Sequence, residues 1–281
     1  MRRLAVIGGG FMGEAIFSRA IRAGVVEAGN VIVGEPLADR RGVLEQQYQV
    51  QTTADNAAAA EAAALLLLAT KPQQNAAVFA SLRGHLDPTT VVLSIIAGTP
   101  LSTLTTDLEH QVAVRVMPNT PAAVGEGMTV WAATSAVSSQ QCASVRSLLR
   151  SIGREIQVET DRSVDMATAI NGSGPGYVFL IMEALIDAGV QIGLSRPQAH
   201  DLVVQTMLGA AALARDTGKH PAELRNMVTT PGGTTAAGLL ALEEHGLRAA
   251  LARGVLAAYE RSVALGAAQA QSQENPADPV R

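Results

Sequence analysis

Leu4-Ala5-Val6-Ile7-Gly8-Gly9-Gly10-Phe11-Met12-Gly13-Glu14-Ala15-Ile16 decides the fold. Four apolar residues predict a short buried strand over 4–8. Three glycines predict a turn, and an apolar-periodic helix follows over 11–23. Gly8, Gly10 and Gly13 match G-x-G-x-x-G, with Phe11 and Met12 as the variable residues between. In that pattern Gly8 permits the tight turn, Gly10 lets the backbone approach a pyrophosphate, and Gly13 lets helix pack on strand. The helix start then turns unpaired N–H groups and a positive dipole end towards phosphates. The plainer reading is a glycine-rich turn without a ligand. Placement between a strand and a helix favours the nucleotide site.

Outward from this turn, apolar runs at 30–34, 65–69, 91–96 and 112–116 predict further strands, with helices over 39–47 and 73–83 between them. The runs are continuous rather than alternating, as expected of a parallel sheet covered on both faces. Late strands at 128–132 and 155–158 flank a helix over 139–152. Beyond about residue 161 only helical patterns occur, over 161–170, 176–193, 197–217, 221–227, 234–244 and 247–266. The expected fold is α/β: an N-terminal doubly wound Rossmann-type sheet over 1–160, then an all-α helical domain over 161–268. Residues 269–281 have two prolines and no apolar periodicity, which predicts a disordered tail.

The helix over 176–193 keeps Glu183, Asp187 and Gln191 on one stripe and is apolar or small almost everywhere else. Such a helix needs burial round most of its circumference. It is either the centre of a monomeric bundle or a helix that shares its core with a second subunit. The small size of the helical half favours the second, a homodimer.

Composition narrows the function. Of 281 residues, 48% are hydrophobic and 16% charged, so the chain can bury a core. A formal charge of -4 argues against general nucleic-acid binding. One cysteine, Cys142, excludes an internal disulfide and a multi-cysteine metal site. No two of the five histidines lie three or four apart, so no metal ligand set is expected. No apolar run approaches the ~20 residues of a membrane span. The N-terminus reads as strand and turn rather than a leader. The expected setting is cytoplasmic.

Candidate ligand contacts fall at strand ends. Glu35, 22 residues past Gly13, closes the second strand and suits the adenosine ribose hydroxyls of NAD. Arg40 and Arg41 follow and could meet the 2′-phosphate of NADP, or simply begin an exposed helix. The cofactor is therefore NADPH or NADH, with Glu35 favouring NADH. Thr70-Lys71-Pro72 ends the third strand, and Lys71 is one of only two lysines in the chain. Ala97 lies in the turn after the next strand, and Pro118-Asn119-Thr120-Pro121 follows the fifth. Each segment could be an ordinary turn. In a doubly wound sheet, however, ligands bind outside the carboxyl ends of the strands. In the helical half, Thr229-Thr230-Pro231-Gly232-Gly233-Thr234-Thr235 precedes a helix. Its helix-start amides and hydroxyls could cradle a carboxylate, beyond what an ordinary threonine cap requires.

Taken in order, these motifs resemble the pyrroline-5-carboxylate reductase family. The resemblance also rests on Ala69-Thr70-Lys71-Pro72, Ser94-Ile95-Ile96-Ala97-Gly98, Arg115-Val116-Met117-Pro118-Asn119-Thr120-Pro121-Ala122, Asn171-Gly172-Ser173-Gly174-Pro175-Gly176-Tyr177 and His220-Pro221-Ala222-Glu223-Leu224. It implies NAD(P)H-dependent reduction of 1-pyrroline-5-carboxylate to L-proline by an interlocked dimer. It implies that Thr235 donates a hydrogen bond to the ring nitrogen, and that Thr230 with the amides of Gly233 and Thr234 holds the carboxylate. Asn119, Pro118 and the Thr70–Pro72 loop would line the nicotinamide. Two rivals remain on the residues alone. A β-hydroxyacid dehydrogenase type would need a lysine in the first long helix after the sheet, and no lysine lies between Lys71 and Lys219. A non-catalytic dinucleotide-binding regulator is the other.

Overall fold

The computed structural model describes the backbone of residues 3–274 and the side chains of residues 3–267. It divides into two compact units: the chain up to Ser173 together with Ala258 onward, and Gly174–Ala257. The sequence changes character near residue 160, but the compact boundary falls after Ser173, because Val164 of the next helix is buried with Met117 and Ala132 of the sheet.

The first unit holds an eight-stranded sheet. Its strands are β1 (Leu4–Ile7), β2 (Val31–Gly34), β3 (Gln51–Thr53), β4 (Leu65–Leu68), β5 (Val91–Ser94), β6 (Ala113–Met117), β7 (Gly127–Ala133) and β8 (Gly153–Gln157). They lie in the order β3-β2-β1-β4-β5-β6-β7-β8. All neighbours are parallel except β6 and β7, which pair antiparallel.

The apolar runs bury both faces. Leu4, Val6, Val31, Val33, Leu65 and Leu67 share one core with Ile16 and Phe17 of α1 (Phe11–Arg22) and Leu44 of α2 (Ala38–Tyr48). Ala5, Ile7, Ile32, Leu66 and Leu68 face the other way. They pack on α3 (Asn56–Ala60), α4 (Asn75–Leu82) and α5 (Leu101–Asp107). Strand period 2 assigns alternate residues to opposite faces, so one run serves both cores. Helix α6 (Ser139–Arg150) adds Val145, Leu148 and Leu149 to the first core.

Some elements were not anticipated. β3 is short, polar and partly exposed at the sheet edge, α3 is mostly alanine, and α5 mixes threonine with leucine, so none carries strong periodicity. The expected helix over 161–170 is α7 (Asp161–Ala167) followed by a wide π-turn, Thr168–Gly172. The last helix does not stop at 266. It continues to Glu274, through the start of the expected tail, and residues 275–281 lie outside the described residues.

The helical half forms α8 (Gly174–Gln191), α9 (Arg196–Thr217), α10 (Pro221–Met227), α11 (Thr234–Glu244) and α12 (Leu247–Glu274). Apolar as it is, α8 has no buried residue within one copy of the chain. Phe179 is 57% exposed, Leu180 66%, and Ile192 just beyond it 83%. The continuous helical stretch Asp161–Gln191 is long and apolar enough, by length and composition, to cross a membrane. The expectation from short apolar runs missed this, because Glu183 and Asp187 interrupt the sequence without lowering the average enough.

Candidate functional site

The chain passes from β1 to β2 on one side and later returns to β4 on the other, so the carboxyl ends of β1 and β4 form the switch-point crevice. Gly8 has φ 104°, and a Cβ there would lie 2.7 Å from the carbonyl oxygen of Ala69. A Cβ on Gly13 would lie 2.2 Å from the Gly8 carbonyl oxygen. Both glycines are thus required by packing. Gly10 differs: a Cβ on it would meet nothing within 4 Å. It caps α1 without a side-chain hydrogen bond, leaving the opening amides for an anion.

Gly9, a variable position in the fingerprint, is held at both ends. Its amide donates to Glu35 Oε2 at 3.0 Å, and its carbonyl accepts from Arg40 Nε at 2.8 Å. A Cβ on Gly9 would sit 2.7 Å from Leu44 Cδ1. A glycine at the middle position of the Gly8–Gly10 run is the signal of this in the sequence. Glu35 is buried, and its second oxygen accepts from the Leu37 amide at 3.1 Å. Arg40 also makes a short ion pair with Glu14, whose other oxygen accepts from the Tyr48 hydroxyl at 2.6 Å. Burial first, then the hydrogen bond and charge of Glu14, pushes the Tyr48 hydroxyl above its ordinary pKa, so it stays a donor. Arg41 donates to the carbonyls of Glu35 and Pro36, each at 2.9 Å.

A cavity of about 400 Å³ opens beside this turn. Gly8, Gly10, Glu35, Thr70 and Lys71 line it, as do Leu37, Asn56 and Gln74, which sequence reading did not select. Thr70 lines the cavity, and among the described residues its Oγ1 is buried without a partner, which is rare for a hydroxyl. Uncapped amides, open space at Gly10 and the Glu35 carboxylate together fit a dinucleotide.

The remaining expected contacts are not on the cavity wall. Phe11 is 59% exposed at the first position of α1, with Met12 half-buried behind it. Pro72 opens a 3-10 turn, and Ala97 is exposed after β5. Pro118 is buried after β6. Asn119 Oδ1 accepts from the Met128 amide at 2.9 Å, which fixes the orientation of the side-chain amide. Asn171, from the π-turn, donates to the carbonyls of Met117 and Met128 at 2.9 and 3.0 Å and so ties the same loop from behind. Among the described residues, no three His, Cys, Asp or Glu side chains gather as metal ligands.

In the second unit, Gly232 turns with φ 70° and Gly233 caps α11 without a side-chain bond. A Cβ on Gly233 would lie 2.4 Å from Thr230 Oγ1, so the bend needs glycine. The Gly233 amide closes the bend onto the Thr230 carbonyl at 3.0 Å, which corrects its expected role as a carboxylate donor. The amides that open α11 start at Thr234, and Thr235 is half-buried in the first turn.

Comparison with known proteins covers both halves. A family model described as pyrroline-5-carboxylate reductase dimerisation matches residues 161–265. One described as NADP oxidoreductase coenzyme F420-dependent matches residues 3–98. Pyrroline-5-carboxylate reductase of Synechocystis sp. is 44% identical over 264 residues, 94% of this chain and 98% of that protein. The enzyme of Escherichia coli is 34% identical over 93% of this chain and 97% of its own length. Among solved structures, the Plasmodium falciparum pyrroline carboxylate reductase with NADP bound superposes with a TM-score of 0.85 at 30% identity. That match covers 94% of this chain and 98% of the Plasmodium chain. The Coxiella burnetii pyrroline-5-carboxylate reductase matches with TM-score 0.85 at 33% identity, over 94% and 98%. With identity of this size running through both the sheet and the helices, the chain belongs to the pyrroline-5-carboxylate reductase family.

Proposed function

We propose that the protein reduces 1-pyrroline-5-carboxylate to L-proline with NADH or NADPH, the last step of proline synthesis. The observation that carries this reading is likeness to pyrroline-5-carboxylate reductases over 94% of the chain, across the crevice and the threonine bend alike. A reduced nicotinamide held in this crevice would supply the hydride for the imine carbon of a substrate whose nitrogen carries the proton, giving a secondary amine.

The chain's own residues then have to bind and orient. The uncapped start of α1 holds the pyrophosphate and Glu35 the ribose. Thr230 and the opening amides of α11 hold the substrate carboxylate, and the Thr235 hydroxyl hydrogen-bonds the ring nitrogen. The bend contains no Asp, Glu or His, so rate comes from placing donor and acceptor carbons ~3–3.5 Å apart and from fixed dipoles. NADH oxidation at about 340 nm with pyrroline-5-carboxylate, and identification of proline as product, test the reaction. Oxidation of a hydroxy acid in the reverse direction, with the imine left untouched, would overturn it. Thr235→Val is expected to lower kcat by about 100-fold while nucleotide affinity holds. An unchanged kcat/KM would remove Thr235 from the site.

The active form proposed is a homodimer in the cytoplasm. The bare apolar surface of α8 supports it, as does an apolar groove of about 410 Å³ lined by Leu185, Ile192, Leu202 and Met207. A second copy laid on this surface would remove it from water without a membrane. Sedimentation at low micromolar concentration should give a dimer or a multiple of it, and a stable monomer would refute the assembly.

A further inference from the structure

We infer that this chain selects NADH over NADPH, with Glu35 as the specificity-determining residue and Arg40 withheld from the 2′-phosphate by Glu14. The inference deepens the reductase reading and relies on it only for the class of cofactor.

In a doubly wound sheet the adenosine ribose lies at the end of β2, where Glu35 stands. Its carboxylate is no loose surface charge. It is 8% exposed, on the cavity wall, and fixed by the amides of Gly9 at 3.0 Å and Leu37 at 3.1 Å. A carboxylate oxygen has lone pairs to spare after one such bond, so both ribose hydroxyls of NADH can donate to it. A 2′-phosphate there would instead put a second anion beside a buried one, in a place water screens poorly.

NADPH binding would require a cation at the same corner. Arg40 and Arg41 are the nearest in sequence, and both already donate within the fold. Arg40 bridges the Gly9 carbonyl and the Glu14 carboxylate, and Tyr48 and Arg40 hold Glu14 from its two oxygens. Arg41 donates from Nη1 to the carbonyls of Glu35 and Pro36. Asp39, the first-turn acid of α2, adds a further negative charge. Lys71, the cation on the cavity wall, stands at the end of β4, with β1 between it and β2.

The two peptide ends of Gly9 also link ribose recognition to the phosphate turn. Glu35 holds its N–H and Arg40 its C=O. Replacing either residue therefore disturbs the turn for both cofactors, and only the ratio of affinities isolates discrimination at the 2′ position.

Isothermal titration calorimetry of the full chain with NADH and with NADPH, without pyrroline-5-carboxylate, tests the assignment. NADH should bind at least about tenfold more tightly. Equal affinities, or tighter NADPH, would overturn it. Glu35→Gln keeps the size and removes the charge. Its NADH-to-NADPH affinity ratio should fall towards one, and an unchanged ratio would overturn Glu35 as the determinant. Glu14→Gln leaves Glu35 in place and releases Arg40, so NADPH affinity should rise several-fold while NADH affinity holds; no change would overturn the withholding of Arg40. Tight NADH binding without imine reduction would instead sink the reductase reading and leave this inference standing.

Discussion

Arg115→Leu should lower the stability of the sheet-bearing unit by about 3 kcal/mol, read as a shift in the urea midpoint with an unchanged slope. Arg115 is 2% exposed on β6. Its guanidinium meets Asp161 at 3.1 Å and Asp165 at 2.6 Å. These carboxylates have few other partners: the Leu101 amide reaches Asp161 at 3.0 Å, and the Ser262 hydroxyl of α12 reaches Asp165 at 3.1 Å. Removing the arginine leaves two acids without their counter-charge, the costly way to break such a cluster. Both carboxylates keep some solvent contact, so the loss should fall at the lower end of the range for buried pairs. A loss under about 1 kcal/mol would show that water takes over the role of the guanidinium. The same cluster joins β6, α7 and α12, so the variant should also make α12 around Ser262 more susceptible to protease.

Gly13→Ala should weaken nucleotide binding by about 100-fold, or close to 3 kcal/mol. The added methyl would lie 2.2 Å from the Gly8 carbonyl oxygen, and 3.3 Å from Ala69 Cβ and Val6 Cγ1. The nearest atom is backbone and cannot rotate away. Helix α1 must therefore lift from β1, carrying the opening amides out of register with the phosphates. Overpacking of this kind costs about 1–3 kcal/mol of stability, less than would unfold the unit. A folded variant with defective binding is the expected result by circular dichroism and calorimetry. Full nucleotide affinity in Gly13→Ala would show that the amides at the start of α1 do not set the site. Gly10→Ala is the control: its methyl meets no atom of the described residues within 4 Å, so a loss of affinity there reports on the ligand.

Much of the architecture is legible in the chain. Continuous apolar runs such as Leu65–Leu68 announce strands buried on both faces, and the spacing of Gly8, Gly10 and Gly13 announces a phosphate-binding turn at the end of β1. Glu35 is found by counting to the end of the second strand. Elements that escaped have weak local signals. Gln51–Thr53 is polar, and it is a strand because β2 offers an edge to pair with. The π-turn Thr168–Gly172 looks like ordinary helix until Asn171 is seen to reach back to two sheet carbonyls. The role of Gly9 was equally hidden, because it depends on Leu44, Glu35 and Arg40, residues far away in sequence.

From its residues alone the chain determined a Rossmann-type sheet followed by helices, a nucleotide turn after the first strand and a glycine bend among threonines. Those follow from local periodicity and from backbone conformations that few residue types can adopt. Tertiary structure decided which polar groups already have partners. The Gly233 amide, Asn119 Oδ1 and both candidate arginines have partners inside the fold, while Thr70 Oγ1 is buried without one among the described residues. A side chain's chemistry is written in the sequence, but its remaining capacity to bind depends on neighbours that only folding brings near.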